Sequence, residues 1–156
     1  MSRQPARPTP DRPAQDTLRN AKSAAHVERL ASEVIGASIR IHKLLGPGLL
    51  ESVYESILAR DLECRGLHVD RQCSVPIECE GLSFDEGFRC DLLVEGTLVI
   101  EIKSVKSIAP VHLKQVLSYI RLLRVSLGLL INFGAPTIKE GCRRVVDQHP
   151  NTGRVR

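Results

Sequence analysis

Apolar residues recur along the chain with two periods, and the changes from one to the other mark out its elements. Between Ala25 and Leu45, Val27, Leu30, Ala31, Val34, Ile41 and Leu45 fall at helical spacing, which predicts a helix with one face on a core. Gly46-Pro47-Gly48 breaks it, and Leu49 to Arg65 predicts a second helix ended by Gly66. Residues 67–80, LHVDRQCSVPIECE, read as a strand interrupted or edged by Pro76, because proline cannot donate to a ladder. Glu80-Gly81 marks a turn, Leu82 to Val94 returns as a second strand, and Leu98 to Ile102 completes a meander. Pro110 then opens a helix, Val111 to Arg124, with Leu113, Val116, Leu117, Ile120 and Leu123 on its buried side. Ser126 to Phe133 is nearly continuous in apolar residues, as in a strand covered on both faces, and its crossover helix implies parallel pairing with a meander strand. Thr137 to about Asp147 predicts a short terminal helix. The expected architecture is an α/β domain of order α-α-β-β-β-α-β-α, with a mixed four-stranded sheet flanked by helices.

Composition bounds this picture. A chain of 156 residues with 42% hydrophobic content builds one domain around a single core. Residues 1–23 hold four prolines and four arginines with almost nothing to bury, so a disordered tail is expected there, either a plain extension or a basic arm on nucleic acid. The domain proper is expected over 24–148, with a flexible tail at 149–156. Aromatic content of 3% and the lack of tryptophan argue against a base-stacking platform, and the net charge of +4 favours a polyanionic partner only weakly, since part of the excess sits in the tail. The five cysteines, Cys64, Cys73, Cys79, Cys90 and Cys142, form no C-x-x-C pair and read as buried thiols of a reducing compartment rather than a zinc or iron-sulfur site. No stretch has signal-peptide or membrane-spanning length, so a cytoplasmic protein without membrane contact is expected.

Candidate chemistry lies between Asp91 and Lys103, DLLVEGTLVIEIK. If the hairpin loop is three residues centred on Gly96, Val94 faces Leu98 and Asp91 faces Glu101, with Lys103 on the same face because side chains alternate. A two-residue loop instead pairs Asp91 with Ile100 and sends the two carboxylates to opposite faces. The site therefore requires the odd-numbered loop or a bulge. Opposed carboxylates beside a carbonyl such as that of Ile102 make a hard oxygen site suited to Mg²⁺, or Mn²⁺, better than to Zn²⁺. Lys103 would orient or stabilise an attacking water. A solvated hairpin face with a salt bridge presents the same three residues, so the rest of the chain has to decide.

Asp91 followed by Glu101-Ile102-Lys103 resembles the D…(D/E)xK signature of the PD-(D/E)XK nuclease superfamily, with Cys90 where that signature has proline. Upstream, Gly48-Leu-Leu-Glu51-Ser-Val-Tyr54 is similar to the motif that names the GxxExxY protein family, and the resemblance extends over about residues 25–147. It implies a metal-dependent nuclease fold, in which a glutamate of the first core helix, here Glu51, reaches over the sheet to the metal. Glu51, Tyr54 and Glu55 stand three and four apart and point the same way; apart from the resemblance, Glu51 is a first-turn carboxylate stabilised by the helix dipole. Gln115 and Tyr119 match the glutamine-tyrosine motif that follows the E-x-K strand in branches of the superfamily, which implies a helix flanking the site. A glutamine cannot be a general base, so Gln115 is expected to hydrogen-bond a phosphate, a base edge or Lys103.

His112 shares the stripe of Gln115 and Tyr119; it reads as a phosphate contact or a partly exposed helix histidine. Tyr54 and Tyr119 read as substrate contacts or as amphipathic core-edge residues. Arg143 and Arg144, with Lys139, offer a cationic patch or ordinary surface charge. The expected function is a Mg²⁺-dependent phosphodiesterase on nucleic acid, DNA in the first instance. Asp91 and Glu101 would ligate the metal, Glu51 complete or water-bridge its shell, Lys103 assist the nucleophile, and Gln115 with Tyr119 position the strand. The alternative is a catalytically silent nucleic-acid-binding or protein-interaction module that retains the fold. A hydrolase built on Cys and His has no nucleophile motif here. With no separate recognition module, specificity would come from loops, a homodimer partner or a larger complex.

Overall fold

The computed structural model describes residues 12–147. The chain runs α1 (Arg12–Leu45), α2 (Glu51–Cys64), β1 (Val69–Cys79), β2 (Leu82–Val94), β3 (Leu98–Lys103), α3 (Pro110–Leu123), β4 (Leu127–Asn132), α4 (Ile138–Gly141) and β5 (Cys142–Val145). All strands join one sheet in the order β1-β2-β3-β4-β5. β1 to β3 form the expected antiparallel meander, β4 returns parallel to β3, and β5 closes the edge antiparallel to β4. Among the described residues no helix is long and apolar enough to cross a membrane.

Helix α1 starts at Arg12; residues 1–11 of the tail expected at 1–23, and the tail expected at 149–156, lie outside the described residues. One expectation needs correction. The terminal helix is a single turn, after which Cys142–Val145 pairs with β4, making five strands in place of four. Every residue of β4 is buried, and an open edge on such a strand would leave backbone donors and acceptors unpaired. Pairing with β5 satisfies that edge, and this long-range gain outweighs the local helical pattern.

Two apolar layers sandwich the sheet. On one side Val27, Leu30, Val34 and Ile41 of α1 and Leu58 and Leu62 of α2 pack on Leu92, Ile100, Ile102 and Leu129. On the other, Val116, Tyr119 and Ile120 of α3 cover Val99 and Leu130. Gly128 lets α3 come close, since a Cβ there would lie 2.5 Å from Val116 Cγ1. Pro76 falls where the β1–β2 register shifts, on an edge strand, as its missing N–H requires.

Candidate active site

The register of the β2–β3 hairpin decides whether a site exists. Leu92 pairs with Ile100, Leu93 with Val99 and Val94 with Leu98, the register that puts Asp91 opposite Glu101. Glu95 and Gly96 both adopt left-handed φ, 50° and 61°, and Thr97 N donates to Val94 O at 3.0 Å. These are the marks of a tight primed turn with Thr97 as the extra, bulged residue.

Beyond Leu92 the Asp91 side chain takes over from the ladder. Its Oδ2 accepts the Ile102 N–H at 2.7 Å, and its Oδ1 accepts from Gln72 Nε2 at 3.3 Å. On β3, Lys103 Nζ donates to Glu101 Oε1 at 2.6 Å. Glu101 is only 2% exposed, and its other oxygen, Oε2, is buried with no hydrogen-bond partner. Burial, then the charge of Asp91, pushes the Glu101 carboxyl up to about 7 against the opposing Lys103 hydrogen bond. Burial also raises Asp91, against the Ile102 hydrogen bond. For Lys103, burial pulls downward, but the Glu101 hydrogen bond and charge outweigh it and the ammonium is held above its usual value. Two carboxylates thus share the charge of Lys103, which bonds Glu101 and acts on Asp91 through its field.

Helix α2 brings Glu51 to the end of β3, where Glu51 Oε1 accepts the Ser104 N–H at 3.1 Å and Ser104 Oγ donates to Leu49 O at 2.7 Å. The charge of Glu51 bears on both Glu101 and Lys103. Among the described residues no three His, Cys, Asp or Glu side chains are grouped to hold a metal, and Glu51, expected to complete or water-bridge the shell, stands at the edge of the site, bonded to the Ser104 N–H.

The two tyrosines belong to the scaffold. Tyr54 is wholly buried, stacks on Phe133 at 4.3 Å, donates to Gly46 O at 2.5 Å and accepts from Leu49 N at 3.2 Å. It pins the Gly46–Leu49 loop from within the core, the core-edge alternative of the two sequence readings. Tyr119 is 1% exposed; its hydroxyl accepts from Gln115 Nε2 at 2.6 Å and donates to Arg89 O at 3.0 Å, which ties α3 to β2 two residues before Asp91. Burial pushes its phenol up to about 12. Here one Gln115 N–H bonds the Tyr119 hydroxyl, which in turn bonds the backbone of β2.

The remaining expected contacts scatter. His112 Nδ1 accepts the Ala109 N–H at 3.2 Å, capping α3. Arg144 pairs with Glu28 at 2.5 Å, and Arg143 donates to Glu140 O at 2.7 Å. Both arginines lie on β5, which β4 separates from β3, so the structure does not bring them to the carboxylates.

Three residues at the site were not foreseen in these roles. Glu55, 5% exposed, accepts from Arg71 Nε at 3.0 Å and from Gln72 Nε2 at 2.6 Å. Its spacing from Glu51 made its direction legible, but nothing in sequence pointed to Gln72 on β1. Asn132, also buried, accepts from Val105 N and donates to Val105 O at 3.0 and 2.8 Å, fixing the chain two residues after Lys103.

A family model described as the PD-(D/E)XK nuclease superfamily matches residues 28–145. The chain belongs to that superfamily, whose members are generally nucleases and typically use divalent metal ions. Its five-stranded mixed sheet flanked by helices is consistent with the superfamily core. No curated protein and no solved structure matches the chain. The residues present fit a hard divalent cation: a buried, unpartnered Glu101 Oε2 and two carboxylates raised first by burial, then Glu101 by Asp91 and Asp91 by Glu55, are what a site of oxygen donors looks like without its charge.

Proposed function

We propose that this protein is a divalent-metal-dependent nuclease that hydrolyses phosphodiester bonds in nucleic acid, DNA in the first instance. The observation that carries the reading is the unpartnered Glu101 Oε2, buried beside Asp91 and Lys103. Burying a charge-bearing oxygen without a partner costs several kcal/mol, which a bound cation offsets. Asp91 and Glu101 would hold the ion, and the oxygen-only donor set favours Mg²⁺ or Mn²⁺. When bound, such an ion supplies an activated water and neutralises charge on the phosphate.

The chain's own residues do the rest. Lys103, kept protonated by Glu101, presents a fixed positive charge to a phosphate oxygen and orients the attacking water. Glu51, held by the Ser104 N–H, sits where it can accept a hydrogen bond from water at the edge of the shell. Tyr119 and Asn132 hold the Asp91 and Lys103 strands in place through backbone groups. The similarity of residues 48–54 to the GxxExxY motif supports the same reading of Glu51.

Incubation of end-labelled single- and double-stranded DNA and RNA with Mg²⁺, Mn²⁺ or EDTA tests the proposal and names the substrate class. Cleavage that EDTA abolishes is expected. Binding without cleavage under every metal condition favours the silent-module alternative.

A further inference from the structure

Two successive residues of β1 reach the same buried carboxylate. Arg71 Nε binds Glu55 Oε1 at 3.0 Å and Gln72 Nε2 binds Glu55 Oε2 at 2.6 Å. In a regular strand neighbours point to opposite faces, so this convergence needs a local departure. Gln72 supplies it with a left-handed φ of 49°, a conformation uncommon for a residue with a side chain. The ladder continues through it without a shift, Arg71 opposite Leu92 and Cys73 opposite Cys90. Gln72 therefore lies across from Asp91, and the same Nε2 donates to Asp91 Oδ1 at 3.3 Å.

We infer that Gln72 is a positioning residue for the metal site: its amide, anchored on Glu55, fixes the rotation of the Asp91 carboxylate. The inference rests on the metal-site reading above. Asp91 has one oxygen set by the Ile102 N–H and the other by Gln72, so neither oxygen is free to swing. The geometry also sets a requirement on the amide. Its nitrogen sits between two carboxylates, Glu55 and Asp91, whose charges repel each other, and only a donor at that point can satisfy both. Glu55 stays in place because Arg71 holds its other oxygen. Strained backbone kept at such a point fits a site whose surroundings over-determine it. Groups that orient a metal's ligands are worth about ten- to a hundredfold in affinity or activity.

The test is direct titration of the full chain with Mn²⁺ by calorimetry, alongside thermal melting without metal and cleavage rates. Gln72→Gly removes the amide and relieves the positive φ; a merely structural Gln72 would show a changed metal-free melting temperature there with unchanged Mn²⁺ binding. The expected result is Mn²⁺ affinity weakened about ten- to a hundredfold. Gln72→Glu cannot donate to Asp91 and sets a third carboxylate beside Glu55 and Asp91, so its metal-free melting temperature is expected to fall. If Gln72→Gly binds Mn²⁺ as wild type does, the inference is overturned. Wild type that binds Mn²⁺ without cutting nucleic acid sinks the proposed activity alone, whereas wild type that binds no Mn²⁺ removes both.

Discussion

Asp91 and Ile102 are joined across β2 and β3 by a side chain, the carboxylate Oδ2 accepting the backbone N–H at 2.7 Å. One residue thus has two tasks, closing the sheet where the ladder ends and offering charge to a metal. Asp91→Asn keeps one acceptor, for the Ile102 N–H, but removes the charge and the acceptor that Gln72 uses. It should melt within about 1 kcal/mol of wild type and lose Mn²⁺ binding, whereas Asp91→Ala should lose about 1–3 kcal/mol as well, because the Ile102 N–H is left unpaired. Chemical denaturation and calorimetric titration of the two variants separate these tasks.

Without metal, stability should fall as pH rises. The Glu101 carboxyl is raised from 4.5 to about 7 by burial and Asp91, so the folded chain holds a proton that the unfolded chain has released. Its contribution is complete below about pH 4.5 and is lost as pH rises through about 7. Asp91, also raised by burial, acts in the same direction. Melting in EDTA across pH 5 to 8 should show the decline, and Glu101→Gln should flatten most of it. Saturating Mg²⁺ should restore wild-type stability at pH 8 but not that of Glu101→Gln.

Tyr119→Phe deletes the hydroxyl that links Gln115 to Arg89 O. The expected cost is about 1–2 kcal/mol in denaturant unfolding. Metal affinity should change by less than threefold, on the order of 0.6 kcal/mol or below, because Asp91 keeps its own two hydrogen bonds. A complete loss of activity without loss of stability would instead return Tyr119 to the substrate.

Gly134→Ala is expected to disturb the end of β3 from a distance. A Cβ at Gly134 would lie 2.4 Å from Val105 O, and Val105 is held by Asn132. The Val105 segment must move, and Lys103, two residues earlier, moves with it. A drop of about 1–3 kcal/mol in stability together with slower cleavage is the expected outcome. Normal cleavage at reduced stability would show that Lys103 tolerates the shift.

Much of this was legible in the sequence where local chemistry dominates. Gly96 and the apolar runs around it narrowed the hairpin to two registers, of which the structure has the one that opposes Asp91 and Glu101, and the crossover helix was enough to make β4 parallel. What was not legible depends on contacts distant in sequence. The pairing of Cys142–Val145 with β4 overrides a local helical pattern. The Glu55–Gln72–Asp91 chain requires a left-handed glutamine in a strand, which no propensity suggests. Tyr54 and Tyr119 share helix faces with Glu51 and Gln115, yet their hydroxyls turn to backbone carbonyls at Gly46 and Arg89. Spacing along a helix says which side chains align, and it does not say which of them meet solvent.

The most direct measurement is cleavage of the preferred labelled nucleic acid in Mg²⁺ by wild type, Asp91→Ala and Lys103→Ala, each checked for folding by melting. Metal-dependent cutting by wild type that both substitutions abolish, in folded proteins, is the expected result. Cutting that persists in both variants, or that is indifferent to EDTA, would contradict a catalytic site built on Asp91, Glu101 and Lys103.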